Sequence, residues 1–531
     1  LSVTGPGTIK ASSETEVCIF CHTPHQSNPS GPLWNREDPG ATYVLYNSTT
    51  LQAVPGQPDG SSVLCLSCHD GTIALGNIIS TAADISFSGG VTKMPSGRSN
   101  LTTDLSDDHP ISFIYNSSLS ASDGQLKDPS AISHPVNLES GKVQCTSCHD
   151  PHNNTYNDFL VSSNQFSDLC FKCHDRNYWG QSSHNTSTKT WTGTGTNPWQ
   201  HTPYTSVSEN ACENCHNPHN AGGKYRLLNY LAEESNCLNC HDGNVASKNI
   251  RNEFSKPYIH NVYGYNLTHD ASEAALTSSM HVECEDCHNP HAVKSLSSVA
   301  PSASGFIQGI KGLSQTGAPV YPIQYQYELC YRCHADSPGK TPSRTSRRIE
   351  QNNVRLEFDV SSISFHPVVS AGKNLSVPSL IGPAYTESSI IYCVDCHSSD
   401  GTGAPSGPHG SIYPSILRYR YDKADNTAES ASAYELCYSC HSRSSILGDN
   451  TFKEHKKHID DERTPCNVCH DPHGITNSQG IADQTYQLIN FDISVVSSNA
   501  GGILKFVDTG LNSGYCMLRC HGKAHGPGMN Y

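Results

Sequence analysis

The sequence predicts a chain that is mostly irregular coil with short helices and little regular secondary structure, wrapped around a core that its own side chains do not supply. Three observations predict this. Of 531 residues only 35% are hydrophobic and 16% charged, too little apolar surface for side-chain cores in a chain this long. The stretches between cysteines are rich in Ser, Thr, Asn, Gly and Pro, and no long helical or strand periodicity runs through them. The 24 cysteines fall into twelve pairs with none left over, and each pair is followed at once by histidine.

In chain order the triplets are Cys18/Cys21/His22, Cys65/Cys68/His69, Cys145/Cys148/His149, Cys170/Cys173/His174, Cys212/Cys215/His216, Cys237/Cys240/His241, Cys284/Cys287/His288, Cys330/Cys333/His334, Cys393/Cys396/His397, Cys437/Cys440/His441, Cys466/Cys469/His470 and Cys516/Cys520/His521. All but the last are Cys-x-x-Cys-His, the c-type haem attachment pattern. Two thiols add to the two vinyl groups of one haem, and the adjacent imidazole turns under the ring to bind iron. Zinc frameworks use Cys and His at several spacings, and disulfide frameworks are indifferent to the residue after each second Cys. Neither accounts for a histidine there every time. The expected cofactors are therefore twelve covalently attached haem c groups, which become the hydrophobic core of the coil.

The other histidines are candidates for the opposite axial position. Five recur as His-x-Pro-His, three residues past a proximal ligand: His25, His152, His219, His291 and His473. Each is expected to reach the following haem, giving pairs 1/2, 3/4, 5/6, 7/8 and 11/12. Upstream candidates serve the odd members: His134 for haem 3, His201 for haem 5, His366 for haem 9 and His458 for haem 11. His260 is preferred over His281 for haem 7, His409 is expected at haem 10, and haem 1 takes His109 or a histidine from another subunit. His184, His269, His281, His455 and His525 read as solvated or propionate-bonding side chains, with His281, His455 and His525 held as replacements for a ligand named above.

Along the chain these ligands divide the sequence into two-haem blocks: 1–140 for haems 1 and 2, 141–205 for 3 and 4, 206–250 for 5 and 6, 251–345 for 7 and 8, 346–445 for 9 and 10, and 446–531 for 11 and 12. None is expected to fold without its haems. The net charge of −15 argues against a nucleic-acid partner. No stretch approaches the roughly 20 apolar residues of a membrane span. Haem attachment of this kind takes place outside the cytoplasmic membrane. With Leu rather than Met at position 1, the reading is an exported protein at the cell surface or beyond, its signal peptide removed.

The segments Cys-Ile-Phe-Cys-His-Thr-Pro-His (18–25), Cys-Thr-Ser-Cys-His-Asp-Pro-His (145–152), Cys-Glu-Asn-Cys-His-Asn-Pro-His (212–219), Cys-Glu-Asp-Cys-His-Asn-Pro-His (284–291) and Cys-Asn-Val-Cys-His-Asp-Pro-His (466–473) resemble the multihaem c-type cytochromes with doubled Cys-x-x-Cys-His units. The resemblance extends over essentially the whole chain. It implies electron transfer rather than catalysis, and members of the group include secreted cytochromes of metal reducers, some polymerised into extracellular filaments. The expected partners are identical subunits in such a filament and extracellular acceptors such as metal oxides or other cytochromes. A monomeric carrier or terminal metal reductase is the alternative. An enzyme with one five-coordinate haem is the third class. The chain departs from the filament cytochromes in its haem count and in the spacing of Cys516 and Cys520.

Overall fold

The computed structural model describes the chain outside residues 266–268, 271, 272, 274, 275, 277–280, 341, 342, 477–486, 512 and 529–531. Its contacts form two compact units, Leu1–Cys240 with Tyr265–Ser272, and His241–Gly264 with Glu273–Tyr531. Most of the described chain is coil. The longest described α-helix, Gly60–His69, has ten residues, and no described helix is long and apolar enough to cross a membrane.

The helices sit where the cysteines are. Thiols three residues apart share a face only on a helical turn, and Cys145–Cys148, Cys284–Cys287, Cys393–Cys396 and Cys466–Cys469 are single turns of that kind. The residue before the second cysteine closes three of these turns. Ser147 Oγ, Asp286 Oδ2 and Asp395 Oδ2 accept the backbone N–H of Gln144, Glu283 and Tyr392 at 3.0, 2.8 and 2.7 Å, which satisfies an amide that the short helix cannot.

Three segments of the first unit make a tighter turn instead. Cys18–Phe20, Cys170–Lys172 and Ala211–Asn214 are 3₁₀ turns, and Cys21, Cys173 and Cys215 fall just beyond them. The N–H groups of Cys21, Cys173 and Cys215 donate to the carbonyls of Cys18, Cys170 and Cys212 at 3.1, 3.2 and 3.1 Å. The following histidine amide donates to the same carbonyl, at 2.9 Å for His216, so each loop closes as one α-type turn over the 3₁₀ bond.

Side-chain cores are small and gather around cysteines. In the first unit Ala11, Phe20, Leu75 and Phe87 pack with Cys21 and Cys68. In the second, Leu313, Tyr327, Tyr331 and Phe358 cluster beside Cys393, and Val468, Phe491, Val496 and Leu518 beside Cys469, Cys516 and Cys520. Arg36 is fully buried next to the first of these clusters. Its guanidinium donates to the carbonyls of Leu75 (2.9 Å), Ser67 (2.9 Å) and Ala74 (3.0 Å) and to Ser67 Oγ (3.1 Å). Arg36→Met would leave the Leu75 and Ser67 carbonyls unpaired at about 1 kcal/mol or more each, while the Ala74 carbonyl keeps the Asn77 N–H. The expected result is a loss of about 2 kcal/mol at this end of the chain, read as earlier proteolytic cleavage and melting around residues 18–100.

Short backbone pairings bring distant segments together. Phe113–Ile114 pairs with Lys142–Val143 in the first unit, and Tyr258–Ile259 with Gly410–Ser411 and Ser364–Phe365 with Gly474–Ile475 in the second, all antiparallel. The larger sheet lies at the C-terminal end. There Ser513–Cys520 pairs antiparallel with Lys505–Gly510, with Lys523–His525 and with Val496–Ser497.

Candidate functional site

Sites are numbered 1 to 12 in the order of the cysteine pairs. Among the described residues, the histidine of the Cys-x-x-Cys-His segment faces a second imidazole at seven of them. The facing pairs are His22 and His152 (6.2 Å between ring centroids), His149 and His219 (6.2 Å), His174 and His109 (6.3 Å), His288 and His409 (6.1 Å), His334 and His260 (6.2 Å), His397 and His473 (6.1 Å), and His470 and His455 (6.2 Å). An imidazole nitrogen binds such a metal at about 2.0 Å with its ring centroid roughly 1.1 Å behind, so two imidazoles across one iron have centroids about 6.2 Å apart. The donor pairs therefore fit a six-coordinate haem iron.

Hydrogen bonding selects which nitrogen is presented. Nδ1–H donates to a backbone carbonyl from His22 (Pro32, 3.2 Å), His69 (Ser99, 2.7 Å), His149 (Asp158, 2.8 Å), His216 (Arg226, 2.7 Å), His288 (Phe306, 2.8 Å), His397 (Ser415, 2.8 Å) and His470 (Gln487, 2.8 Å). Nε2 is left for the metal, with the ring direction fixed from behind. In five of these loops the residue after the accepting carbonyl has a left-handed backbone: Leu33, Phe159, Leu227, Ile416 and Leu488, with φ from 52° to 60°. Bulky residues rarely adopt it, and the strain is spent on aiming the carbonyl at the ligand.

Burial keeps the rings in the liganding form. It lowers the pKa of His174, His409 and His455 to about 3 and of His260, His397 and His441 to about 4, so each is neutral near pH 7 with its lone pair available.

Consecutive sites approach one another through cysteines, first with first and second with second in turn. In the first unit Cys21 lies within electrostatic reach of Cys68, Cys65 interacts with Cys145, Cys148 lies near Cys173, and Cys170 interacts with Cys212. In the second unit Cys287 lies near Cys333, Cys330 interacts with Cys393, Cys396 lies near Cys440, Cys437 interacts with Cys466, and Cys469 lies near Cys516 and Cys520. Sites 2, 3, 4, 8, 9, 10 and 11 each meet one neighbour through the first cysteine and the other through the second. Sites 1 to 5 in the first unit and 7 to 12 in the second thus follow sequence order.

Cys215 has the same setting as Cys21 and Cys173. Site 5 meets site 4 through Cys212 rather than Cys215. Cys215 itself lies past the end of the 3₁₀ turn rather than on a short helix, with φ −126° and ψ −26°. Its own N–H shares the Cys212 carbonyl with the His216 N–H, which tightens the turn locally. The Cys215 carbonyl accepts the Asn229 N–H at 2.8 Å, which ties the segment to the strand-like return after Arg226, whose carbonyl holds His216.

The facing histidines differ from the expected pairing. Each His-x-Pro-His imidazole seen in a pair reaches backward by two sites, not forward by one: His152 to site 1, His219 to site 3 and His473 to site 9. The physical reason is the cysteine contact, as at Cys148 and Cys173: the next segment lies edge to edge, so its iron face is not opposite that imidazole. Likewise His109 faces site 4 rather than site 1, His260 faces site 8 rather than site 7, and His409 faces site 7 rather than site 10. His366, expected at site 9, lies within electrostatic reach of His441 of site 10. His455, expected to be solvated, faces site 11. His201 gives its Nε2 to the Glu213 carbonyl at 3.0 Å and is in none of the seven pairs. His25, His69 and His134 are exposed and in none of the pairs, and the His291 amide donates to Asn289 Oδ1.

Ligands of neighbouring sites are held side by side by main chain. The His109 N–H donates to the Pro218 carbonyl, next to His219. Opposition of Ile259 with Gly410 sets His260 beside His409, and of Phe365 with Gly474 sets His366 beside His473. A recurrence in the sequence marks two of these: Asn249-Ile-Arg-Asn-Glu-Phe254 and Asn353-Val-Arg-Leu-Glu-Phe358. Each forms a helical turn, Ile250–Glu253 and Val354–Glu357, capped by its Asn, just ahead of the strand that ends at His260 or His366.

The copies differ behind the ligand. His473 Nδ1 pairs with Glu357 Oε2 at 3.1 Å, as His219 Nδ1 pairs with Asp108 Oδ1 at 3.1 Å. Glu253 instead pairs with Lys256 at 2.6 Å, and His409 Nδ1 is buried with no hydrogen-bond partner among the described residues. Burial opposes a charge on His473 too, but the Glu357 carboxylate outweighs it and raises its pKa. A carboxylate behind the ring makes the ligand more basic and favours ferric iron. Glu357→Gln is expected to raise the potential of site 9, with about a tenfold change in its ferric-to-ferrous ratio at fixed potential. A redox titration checks this, and an unshifted or lowered component contradicts it.

Residues 135–177 and 385–445 match the family model of the doubled CXXCH motif, and residues 204–355 match that described as outer membrane cytochrome MtrC/MtrF-like, domains II/IV. No curated protein matches the chain. With doubled haem-attachment segments in both units and opposed imidazoles set one iron apart, the chain belongs to the multihaem c-type cytochromes.

Proposed function

We propose that this chain carries electrons along a row of twelve covalently attached haems outside the cell, and that identical copies join end to end in a filament. When bound, haem c supplies iron that exchanges single electrons while keeping both axial ligands. The observation that carries the reading is the alternating cysteine contact, which sets successive sites against one another in sequence order. The histidines fill axial positions and leave no open site for substrate at the seven pairs. The coil fixes spacing and excludes water.

The N-terminal end supports joining of copies. Cys18 is the exposed cysteine of the 24, and His152 is 76% exposed although it faces His22. His69 is in none of the pairs, while His25 and His134 stand exposed as imidazoles that a second copy can use. Residues 204–355, similar to an outer membrane cytochrome, favour a second reading: a discrete surface cytochrome that passes electrons to metal oxides or other cytochromes. The acidic chain, made more so by propionates, suits positively charged acceptors in either case.

Electron microscopy of the secreted protein, with its absorption spectrum and a haem count, tests both. Uniform filaments with twelve low-spin haems per chain are expected. Discrete particles with that spectrum overturn the filament and leave the conduit, and fewer haems overturn the count.

A further inference from the structure

The last cysteine pair is built differently from the rest. Cys516 and Cys520 lie on the strand Ser513–Cys520 rather than on a helical turn. On a helix, thiols share a face at a separation of three; on a strand, where sides alternate, they share one at a separation of four. The extra residue in Cys516-Met-Leu-Arg-Cys520 thus suits a strand as two intervening residues suit a helix. Leu518, two residues from each cysteine, lies on the same face and is buried with them among Val468, Phe491 and Val496.

Alternation also decides where the histidines go. His521 follows Cys520 directly in a turn with φ +46°. Its Nε2, the nitrogen that the other segments leave for metal, is 2.9 and 3.0 Å from the two carboxylate oxygens of Asp425. Beyond that turn Lys523–His525 pairs back on the strand, with Cys520 opposite Lys523 and Leu518 opposite His525. Directly opposed residues project from the same face of a sheet, so His525 shares the face of Cys516 and Cys520.

Across from His525 stands His458, with ring centroids 6.2 Å apart, the separation of the seven pairs that contain a Cys-x-x-Cys-His histidine. His458 Nδ1–H donates to the Glu454 carbonyl at 2.7 Å, which leaves Nε2 for the metal. His455, on the same segment, faces His470 at site 11, and Cys469 of site 11 lies near Cys516 and Cys520. The site continues the row.

We propose that site 12 binds its iron through His525 and His458, with thioethers from Cys516 and Cys520, and that His521 is a hydrogen-bonding partner of Asp425 rather than an iron ligand. This rests on the reading that a haem is attached at Cys516 and Cys520. It departs from the attachment pattern, in which the residue after the second cysteine binds the iron.

The test uses the full holoprotein. Intact mass first counts haems: a wild type without one at Cys516 and Cys520 overturns the reading of the segment and this inference with it. His525→Ala leaves the Cys-x-x-x-Cys-His segment untouched, so attachment proceeds. It is expected to keep all twelve haems, gain one high-spin ferric signal and bind one more carbon monoxide per chain than wild type when reduced. His525→Met checks the same position with a ligating side chain and should give a methionine–iron charge-transfer band. His521→Gln should leave the low-spin spectrum of the attached haems unchanged. A twelve-haem His525→Ala protein with wild-type spin state and carbon monoxide uptake overturns the inference while leaving the conduit standing, as does a new high-spin haem in His521→Gln.

Discussion

Replacement of all 24 cysteines by alanine is expected to give a chain with a coil-like circular dichroism spectrum, no cooperative melting transition and rapid proteolysis throughout. The side-chain clusters are too small to replace the haems: a cluster such as Ala11, Phe20, Leu75 and Phe87 ends at Cys21 and Cys68, where a haem edge would begin. Two-residue strand pairings and single helical turns recover little of the ordering entropy on their own. Buried groups make the loss steeper. Without haems the coil opens, and the buried His409 Nδ1, which has no hydrogen-bond partner among the described residues, gains one from water. A folded, cooperatively melting cysteine-free chain would show that the polypeptide carries a core of its own.

The haem-attachment segments and the fold class were legible because attachment chemistry is local: two thiols and an imidazole must sit within one turn, so the pattern survives in any fold. The kind of turn was not legible, since Cys145–Cys148 closes as a helix while Cys215 stands just past a 3₁₀ turn on the same spacing. The coil followed from a composition that cannot fill its own interior. The opposite ligands were harder to read. His152 and His22 are 130 residues apart, and what joins them is the stacking of site 1 against later segments rather than any spacing in sequence. His260 and His409 likewise face His334 and His288 and not the rings expected from spacing, and the pairing of Ile259 with Gly410 sets the two side by side. A usable signal was present in the repeated Asn-x-Arg-x-Glu-Phe at 249–254 and 353–358, each a short distance before a ligand histidine. At site 12 the spacing itself carried the information: thiols four positions apart read as a strand, and a strand turns the adjacent histidine away.

Gly410→Val is expected to disable two neighbouring sites at once. A Cβ at this position would run into the Glu253 carbonyl oxygen, which is backbone and cannot rotate aside, and would also press on Ile259 Cγ2 at 3.1 Å. The strand pair would have to part. Ile259 opposes Gly410, so parting moves His260 away from His334 and His409 away from His288 together. Each ring sits where its nitrogen would reach a haem iron at about 2 Å, and a displacement of even about 1 Å would break such a bond. The expected protein keeps its full complement of attached haems, since both Cys-x-x-Cys-His segments are intact. It gains two high-spin haems and two carbon monoxide sites per chain. Gly474→Val should repeat the effect at sites 9 and 10, because its Cβ would meet the Glu357 carbonyl and lie 2.9 Å from Phe365 Cβ, one residue before His366. If each substitution releases only one histidine, the two ligands are held independently and the strand pair is not the device that couples neighbouring sites.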